Sequence, residues 1–309
     1  MPSLRPRAFG IAVLGCWALT GLAASAGAQD IEPRAYSNAP VGVNFLIAGY
    51  ALTQGGLSFD SALPATNPEL TTTNAILAYA RVLDIAGMSA KFDVIAPITD
   101  LSGSVDFDGQ RVQRDISGLA DPKFRLSVNF FGAPALPMKE FAGFKQDLIV
   151  GASLQVSAPA GQYDASRLVN LGTNRWSFKS ELGVSQALGR WTLEGTAAVT
   201  LYTDNDDFQQ HRTRSQDPLY SLQAHVIYSF RSGAWGSLDG TYFAGGRTTL
   251  DGMLNNDLQQ NWRVGGALAF PIDVRNSVKF YGSSGVSART GNSFDLIGLT
   301  WQYRWGGGI

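Results

Sequence analysis

One pattern restricts this chain more than any other: apolar and polar side chains alternate residue by residue, in segment after segment. Successive side chains of a strand point to opposite faces, so this period of two marks strands with one apolar face and rules out helices of period 3.6. Val41, Val43, Phe45 and Ile47 alternate with smaller or polar residues. Ala90, Phe92, Val94 and Ala96 alternate with Ser89, Lys91, Asp93 and Ile95. Phe124, Leu126, Val128 and Phe130 oppose Lys123, Arg125, Ser127 and Asn129. The pattern recurs at Leu148–Val156, where Leu148, Val150, Ala152, Leu154 and Val156 share a face. Trp176, Phe178, Leu182 and Val184 form another such set, as do Trp262, Val264, Leu268 and Phe270. Beyond Leu22 no window holds 18 consecutive apolar residues, so no membrane-spanning helix is expected there.

The runs predict twelve strands, at 41–53, 71–83, 88–97, 119–131, 147–157, 174–187, 191–203, 218–230, 235–245, 260–271, 277–289 and 294–305. Each has about 10 to 14 residues, enough to cross a hydrocarbon layer at a tilt. The connections alternate in length. Asp84–Gly87, Leu188–Arg190, Arg231–Ala234 and Ile272–Asn276 are short, whereas 54–70, 98–118, 158–173, 204–217 and 246–259 are long. Tight periplasmic turns and long external loops are the asymmetry of outer-membrane barrels. The fold class expected is therefore all-β: a transmembrane, antiparallel, up-and-down β-barrel of about 12 strands over 41–309. Trp176, Trp191, Trp235 and Trp262 fall at strand ends and are expected to form interfacial girdles. The last strand sets Leu299, Trp301, Tyr303 and Trp305 against Gly298, Thr300, Gln302 and Arg304, an ending resembling the signal read by the barrel-assembly machinery. A soluble all-β barrel would show similar alternation, with shorter strands and its charged face outside.

The N-terminus fits an exported protein. Arg5 and Arg7 precede an apolar run, Phe9 to Leu22, and Ala26-Gly27-Ala28 matches a small-x-small cleavage site. Residues 1–28 read as a cleaved signal peptide, and the expected location is the cell outer membrane. Cys16, the single cysteine, lies within that leader. It leaves the mature chain no thiol for disulfides, catalysis or zinc, and its apolar followers fit a signal core better than a lipidation site. Lys and Arg number 24 against 25 Asp and Glu, which argues against nucleic acid as a partner.

In a barrel, ionised side chains sit cheaply only toward the lumen; an Arg or Lys facing lipid at the midplane costs roughly 2–4 kcal/mol. Lys123, Arg125, Arg175, Lys179, Glu181, Glu194, Arg263 and Lys279 are thus expected in the lumen, as a solute path or as an ion lattice that stiffens the wall. In the loop Pro159–Asn174, residues Tyr163, Arg167, Asn170 and Asn174 can form an inward-folding gate or an ordinary solvated loop. Segment 29–40 either lies in the periplasm, the plainer reading, or enters the lumen as a plug. Asp204, Asp206 and Asp207 read as a solvated charge run, since they lack the EF-hand spacing. His211 and His225 are the only histidines, and neither has a marked nucleophile and orienting group beside it, so no enzyme and no cofactor are expected.

Several segments resemble a family of outer-membrane channels found with aromatic-degradation genes, the meta-pathway phenol-degradation or "transporter" family. The residues that carry the likeness are Asp30–Arg34 and Tyr36–Gly42, Ala158-Pro159 with Gly161-Gln162-Tyr163, and Asn170–Trp176. Lys179 with Glu181–Gly183, Gln216-Asp217-Pro218 and the closing Trp301–Trp305 complete it. The resemblance covers nearly the whole mature chain. It implies a barrel and a role in uptake of small, often aromatic or hydrophobic compounds. The expectation is a channel for a small-molecule solute, set in outer-membrane lipid and monomeric because a closed barrel has no edge strand needing a partner. The alternative is a closed structural or adhesive barrel without transport; an outer-membrane lipid hydrolase is more distant, since His225 falls on the lumen face.

Overall fold

A computed structural model describes residues 32–55, 66–107, 110–209, 211–289 and 294–309. The expected leader, 1–28, and Cys16 lie outside these residues. The chain opens with β1 (Val43–Gly55), β2 (Thr66–Ile85) and β3 (Met88–Phe107). After β4 (Gln110–Leu119) and β5 (Lys123–Phe131) come one helical turn, α1 (Met138–Phe141), and β6 (Leu148–Ser157). Then follow β7 (Ser177–Leu188), β8 (Trp191–Tyr202), β9 (Asn205–Phe208), β10 (Arg212–Gln216) and β11 (Leu219–Ser229). The rest are β12 (Trp235–Gly245), β13 (Thr248–Leu250), β14 (Met253–Leu254), β15 (Gln259–Pro271), β16 (Asn276–Ala288) and β17 (Phe294–Gly306).

The long strands pair antiparallel with their sequence neighbours, and β17 returns to β1 in continuous register from Val43↔Gly306 to Gly55↔Phe294. That closure makes a barrel of 12 strand positions, because β4 and β5 share one: both pair with β3, β4 along 98–107 and β5 along 90–95. The break between them is Ala120-Asp121-Pro122, where proline has no N–H for the ladder. Turn chemistry fixes the β2–β3 register: Ala86 and Gly87 both have positive φ (53° and 80°), the geometry of a two-residue hairpin, and Asp84 accepts the Gly87 N–H at 2.7 Å. The β2–β3 hairpin is 20 residues long in each strand, so much of the expected loops 54–70 and 98–118 is strand. Expected loops 204–217 and 246–259 meet in a separate four-stranded sheet, β14-β13-β10-β9.

Burial alternates along the wall as the sequence pattern does. Leu126, Leu182, Leu222, Leu238 and Ile297 are exposed on the outer face, while their strand neighbours are buried. Trp191, Tyr228 and Phe230 cluster outside at one rim, and Trp301, Tyr303 and Trp305 stack there at 6.2 and 5.8 Å. Tyr242 and Trp262 pair at the other rim at 4.7 Å. The apolar band between two aromatic girdles is a lipid-facing surface. Leu182 is 61% exposed in that band, on β7 between Ala152 and Ala197 of the flanking strands. Leu182→Arg is expected to cost about 2–4 kcal/mol, seen as a lower temperature at which the folded gel mobility is lost.

Two expectations about which face a residue takes also fail. Val43, Phe45 and Ile47 face inward, not toward lipid. With Ile76, Ala78, Ala80, Val82 and Ile95 they form an apolar strip of inner wall, covered by Ala39, Met138 and Ile309. An inner wall covered by the chain's own segment can be apolar, so hydrophobicity alone does not tell its faces apart. Trp235 is no girdle residue either: it is 2% exposed, turned inward with Ser237 and Asp239, and the Arg34 guanidinium lies 5.4 Å from its ring centroid.

Candidate functional site

The lumen is occupied by the chain's own N-terminal residues. From Glu32 to Pro40 the segment is buried or half-buried inside the barrel, held by bonds to β3, β5, β7, β8 and β11. Glu32 pairs with Arg125, and Arg125 Nε donates to Asp93 Oδ2 at 2.7 Å. The Glu32 N–H meets Gln223 Oε1 at 3.4 Å, and the Arg34 N–H donates to Glu194. Lys91 Nζ donates to the Ala35 carbonyl, and Asn129 Nδ2 to the Tyr36 carbonyl at 3.0 Å. Tyr36 is an anchor buried to 2% exposure. Its hydroxyl donates to Glu181 Oε1 at 3.0 Å, and Lys179 Nζ holds Glu181 Oε2 at 3.0 Å. Its ring lies on Gly151 and Gly183, paired residues of β6 and β7; a Cβ would stand 2.4 and 2.0 Å from ring carbons. Glycine inside a strand thus marks a close approach.

All eight lumen residues named from the sequence lie on the inner face. Arg125, Lys179, Glu181 and Glu194 belong to the network around the segment. Lys123 is buried beside it on β5, and Lys279 lies on β16 with Nζ 5.0 Å from the Tyr281 ring centroid. Arg175 and Arg263 sit toward the opposite end. Arg175 stacks 4.6 Å from the Tyr202 ring and bonds Gln216. Arg263 stacks 3.8 Å from Phe294 and donates to the Phe294 carbonyl (3.1 Å) and Ser283 Oγ (2.8 Å).

Loop 158–176 folds over that end. Leu168, Val169 and Leu171 are buried with Leu70, Leu101 and Val105 of the wall and Phe208 and Leu250 of the small sheet. Tyr163 donates to the Asp207 carbonyl at 3.0 Å, and Asn205 bonds both Tyr163 and Asn174, at 3.0 and 2.9 Å. Asn205, not its acidic neighbours, is therefore the buried member of the 204–207 run. Asn170 binds the loop to itself through Asp164 and Arg167. Arg167 points outward, its side chain 60% exposed. Ser166 donates its hydroxyl and its N–H to Asp164 and holds that carboxyl below the usual range. A lowered pKa means the turn is intact above the ordinary carboxylate range and loosens only as pH falls below it.

The loop is pinned to the strand break. Asp121, 4% exposed, accepts the Gly161 N–H (2.9 Å) and the Thr173 N–H and hydroxyl (2.8 and 2.7 Å). The Gln162 N–H donates to the Leu119 carbonyl at 2.8 Å, covering the edge of β4. Asp121→Ala leaves the Gly161 and Thr173 N–H groups without their acceptor, each costing about 1–3 kcal/mol, and leaves the Thr173 hydroxyl only the longer bond to the Arg175 carbonyl at 3.3 Å. The expected result is proteolytic cleavage within 158–176 at protease levels that spare the parent, with the barrel's heat resistance kept.

Sequence reasoning missed Tyr36, Asp93, Asp121 and the couple His225–Asp239. His225 Nδ1 lies 2.8 Å from Asp239 Oδ1, and Ser237 Oγ donates to Asp239 Oδ2 at 3.0 Å. The findable signal was the pair of mid-strand glycines, 151 and 183.

Fold and site together define an outer-membrane β-barrel whose lumen holds its own N-terminal segment. The chain belongs to the family described as "Putative MetA-pathway of phenol degradation", whose profile matches residues 52–303. No curated protein sequence matches it. Among solved structures it is similar to the COG4313 outer membrane channel from Pseudomonas putida F1, with 20% identity and a TM-score of 0.76 over 89% of this chain and 100% of that one. The Beta domain of the Bordetella autotransporter BrkA aligns at 8% identity and a TM-score of 0.49, over 84% of this chain and 98% of that one. The CymD monoaromatic hydrocarbon channel aligns at 9% identity and a TM-score of 0.44, over 86% and 89%.

Proposed function

We propose that the protein is a gated outer-membrane channel for uptake of small apolar or aromatic molecules, acting as a monomer and without enzymatic chemistry. Its leader, 1–28, is removed on export, and the barrel-assembly machinery inserts the rest. The observation that carries this reading is the filling of the lumen. A ring of twelve strands encloses more space than its own side chains fill. Here the surplus is taken by a separable piece of chain, held mainly by side-chain bonds rather than strand pairing. Withdrawal of that piece would leave a passage with two unlike walls. One is the apolar strip of β1 and β2; the other is the charged and amide-bearing wall of β7, β8 and β11. An apolar solute with one polar group fits such a passage better than a fully hydrated ion. The family's description supports an aromatic solute.

The test is uptake by whole cells, because aromatic molecules cross phospholipid bilayers unaided but are slowed by the outer membrane. A deletion strain should accumulate labelled aromatic compounds more slowly than its parent, and the intact gene should restore the rate. Equal rates across aromatic and aliphatic carbon sources would favour a closed structural or adhesive barrel.

A further inference from the structure

We infer that His225 and Thr241 form a binding site in the lumen for a solute hydroxyl. The inference rests on the channel reading and adds the substrate class: apolar molecules carrying one hydroxyl, as phenols and alcohols do.

His225 is 1% exposed and sits on the inner face of β11, directly opposite Asp239 on β12 and Glu194 on β8. A carboxylate only accepts, so Asp239 fixes the ring proton on Nδ1. In the neutral imidazole Nε2 is then a lone-pair acceptor turned away from Asp239, and it has no hydrogen-bond partner among the described residues. Thr241 lies two residues from Asp239 on the same face of β12, fully buried, and its Oγ1 also has no partner among the described residues. His225 and Thr241 are diagonal neighbours across the β11–β12 pair, near enough for one small group to reach both. An acceptor and a hydroxyl donor so placed match a group that both donates and accepts, which a hydroxyl does and an ether or hydrocarbon does not. Nearby polar atoms are already committed: Glu194 accepts Arg34 N–H and Ser185 Oγ, and Asp239 accepts Ser237 Oγ.

The position in the ring supplies the rest. β8 and β11 lie diametrically across the barrel from β1 and β2, whose inner faces are apolar. A solute passing between the two walls meets apolar surface on one side and the His225 acceptor on the other. Residues 32–34 cover this wall, through Glu32 to Gln223 and Arg34 to Glu194, so the site opens when the segment withdraws.

The chain has only two histidines, which gives a direct reading. In protein labelled with ¹⁵N-histidine and held in detergent, His211, with its side chain 86% exposed, serves as the internal reference. Phenol should move the His225 Nε2 resonance and leave His211 still; anisole, of the same shape without the hydroxyl proton, should move neither. The Tyr36→Ala variant, whose segment is unlatched, should show the same shift at lower phenol concentration. Thr241→Val should weaken phenol binding about fivefold, the value of one hydrogen bond. No phenol shift in either the parent or Tyr36→Ala, or an equal shift with anisole, overturns the site. Normal whole-cell uptake beside such a result leaves the channel reading standing. A phenol-specific shift without any uptake defect keeps the site and removes the channel.

Discussion

Gly183→Val is expected to expel the N-terminal segment and turn a nearly silent barrel into one with large, steady conductance steps in planar bilayers. The reason is local. A Cβ at this position stands 2.0 Å from Tyr36 Cε2, and the next nearest atoms belong to the same ring. The clash is with the far end of a side chain on a separable segment, so Tyr36 leaves while the β6–β7 ladder stays. Its departure exposes an aromatic ring worth roughly 1.5–3 kcal/mol and a hydrogen bond worth about 1. Together they shift the open-to-closed ratio by about two to three orders of magnitude. Tyr36→Ala should give the same conductance, and adding Gly183→Val to it should add nothing. Gly195→Ala, on the outer face of β8 with only one backbone oxygen at 3.9 Å, is the control and should stay closed. A Gly183→Val protein as silent as its parent would show that the segment does not gate the passage.

The wall was readable because lipid outside and polar groups inside impose the same period-two pattern on each strand; the register from Trp235 to Gly245 is continuous with the pattern in the residues themselves. What hid the rest was long-range pairing. Glu32 and Arg125 are 93 residues apart, and Tyr36 and Glu181 are 145 apart, so no local spacing joins them. The faces of β1 were hidden for the same reason: Val43 and Phe45 are greasy toward the lumen because Ala39 and Met138 cover them. The small sheet β9–β10–β13–β14 joins two loops whose strands are two to five residues long, too short for alternation to register. Trp235 shows the limit of reading aromatic residues as girdle: strand-end position alone does not say which face it is on.

Arg125→Leu should lower stability and open the lumen at once, which separates it from Gly183→Val. Arg125 holds one carboxylate of the wall, Asp93, and one of the segment, Glu32; Arg125 and Glu32 side chains are 8% and 9% exposed, Asp93 1%. Removing the guanidinium strands two buried carboxylates, and breaking such a pair from one side costs about 3–5 kcal/mol. Glu32 can escape, because the segment can leave the lumen. Asp93 cannot, because it is fixed on β3 between β2 and β5. The expected outcome is a marked fall in the temperature at which folded gel mobility is lost, together with conductance like that of Tyr36→Ala. Replacing Arg125, Asp93 and Glu32 together by leucine removes every charge of the triad and should recover most of the heat resistance. It should not restore closure if the segment is held by the ion pair. A triple variant that closes again would mean that Tyr36 in its glycine seat is enough to hold the segment, and that the triad serves the wall alone.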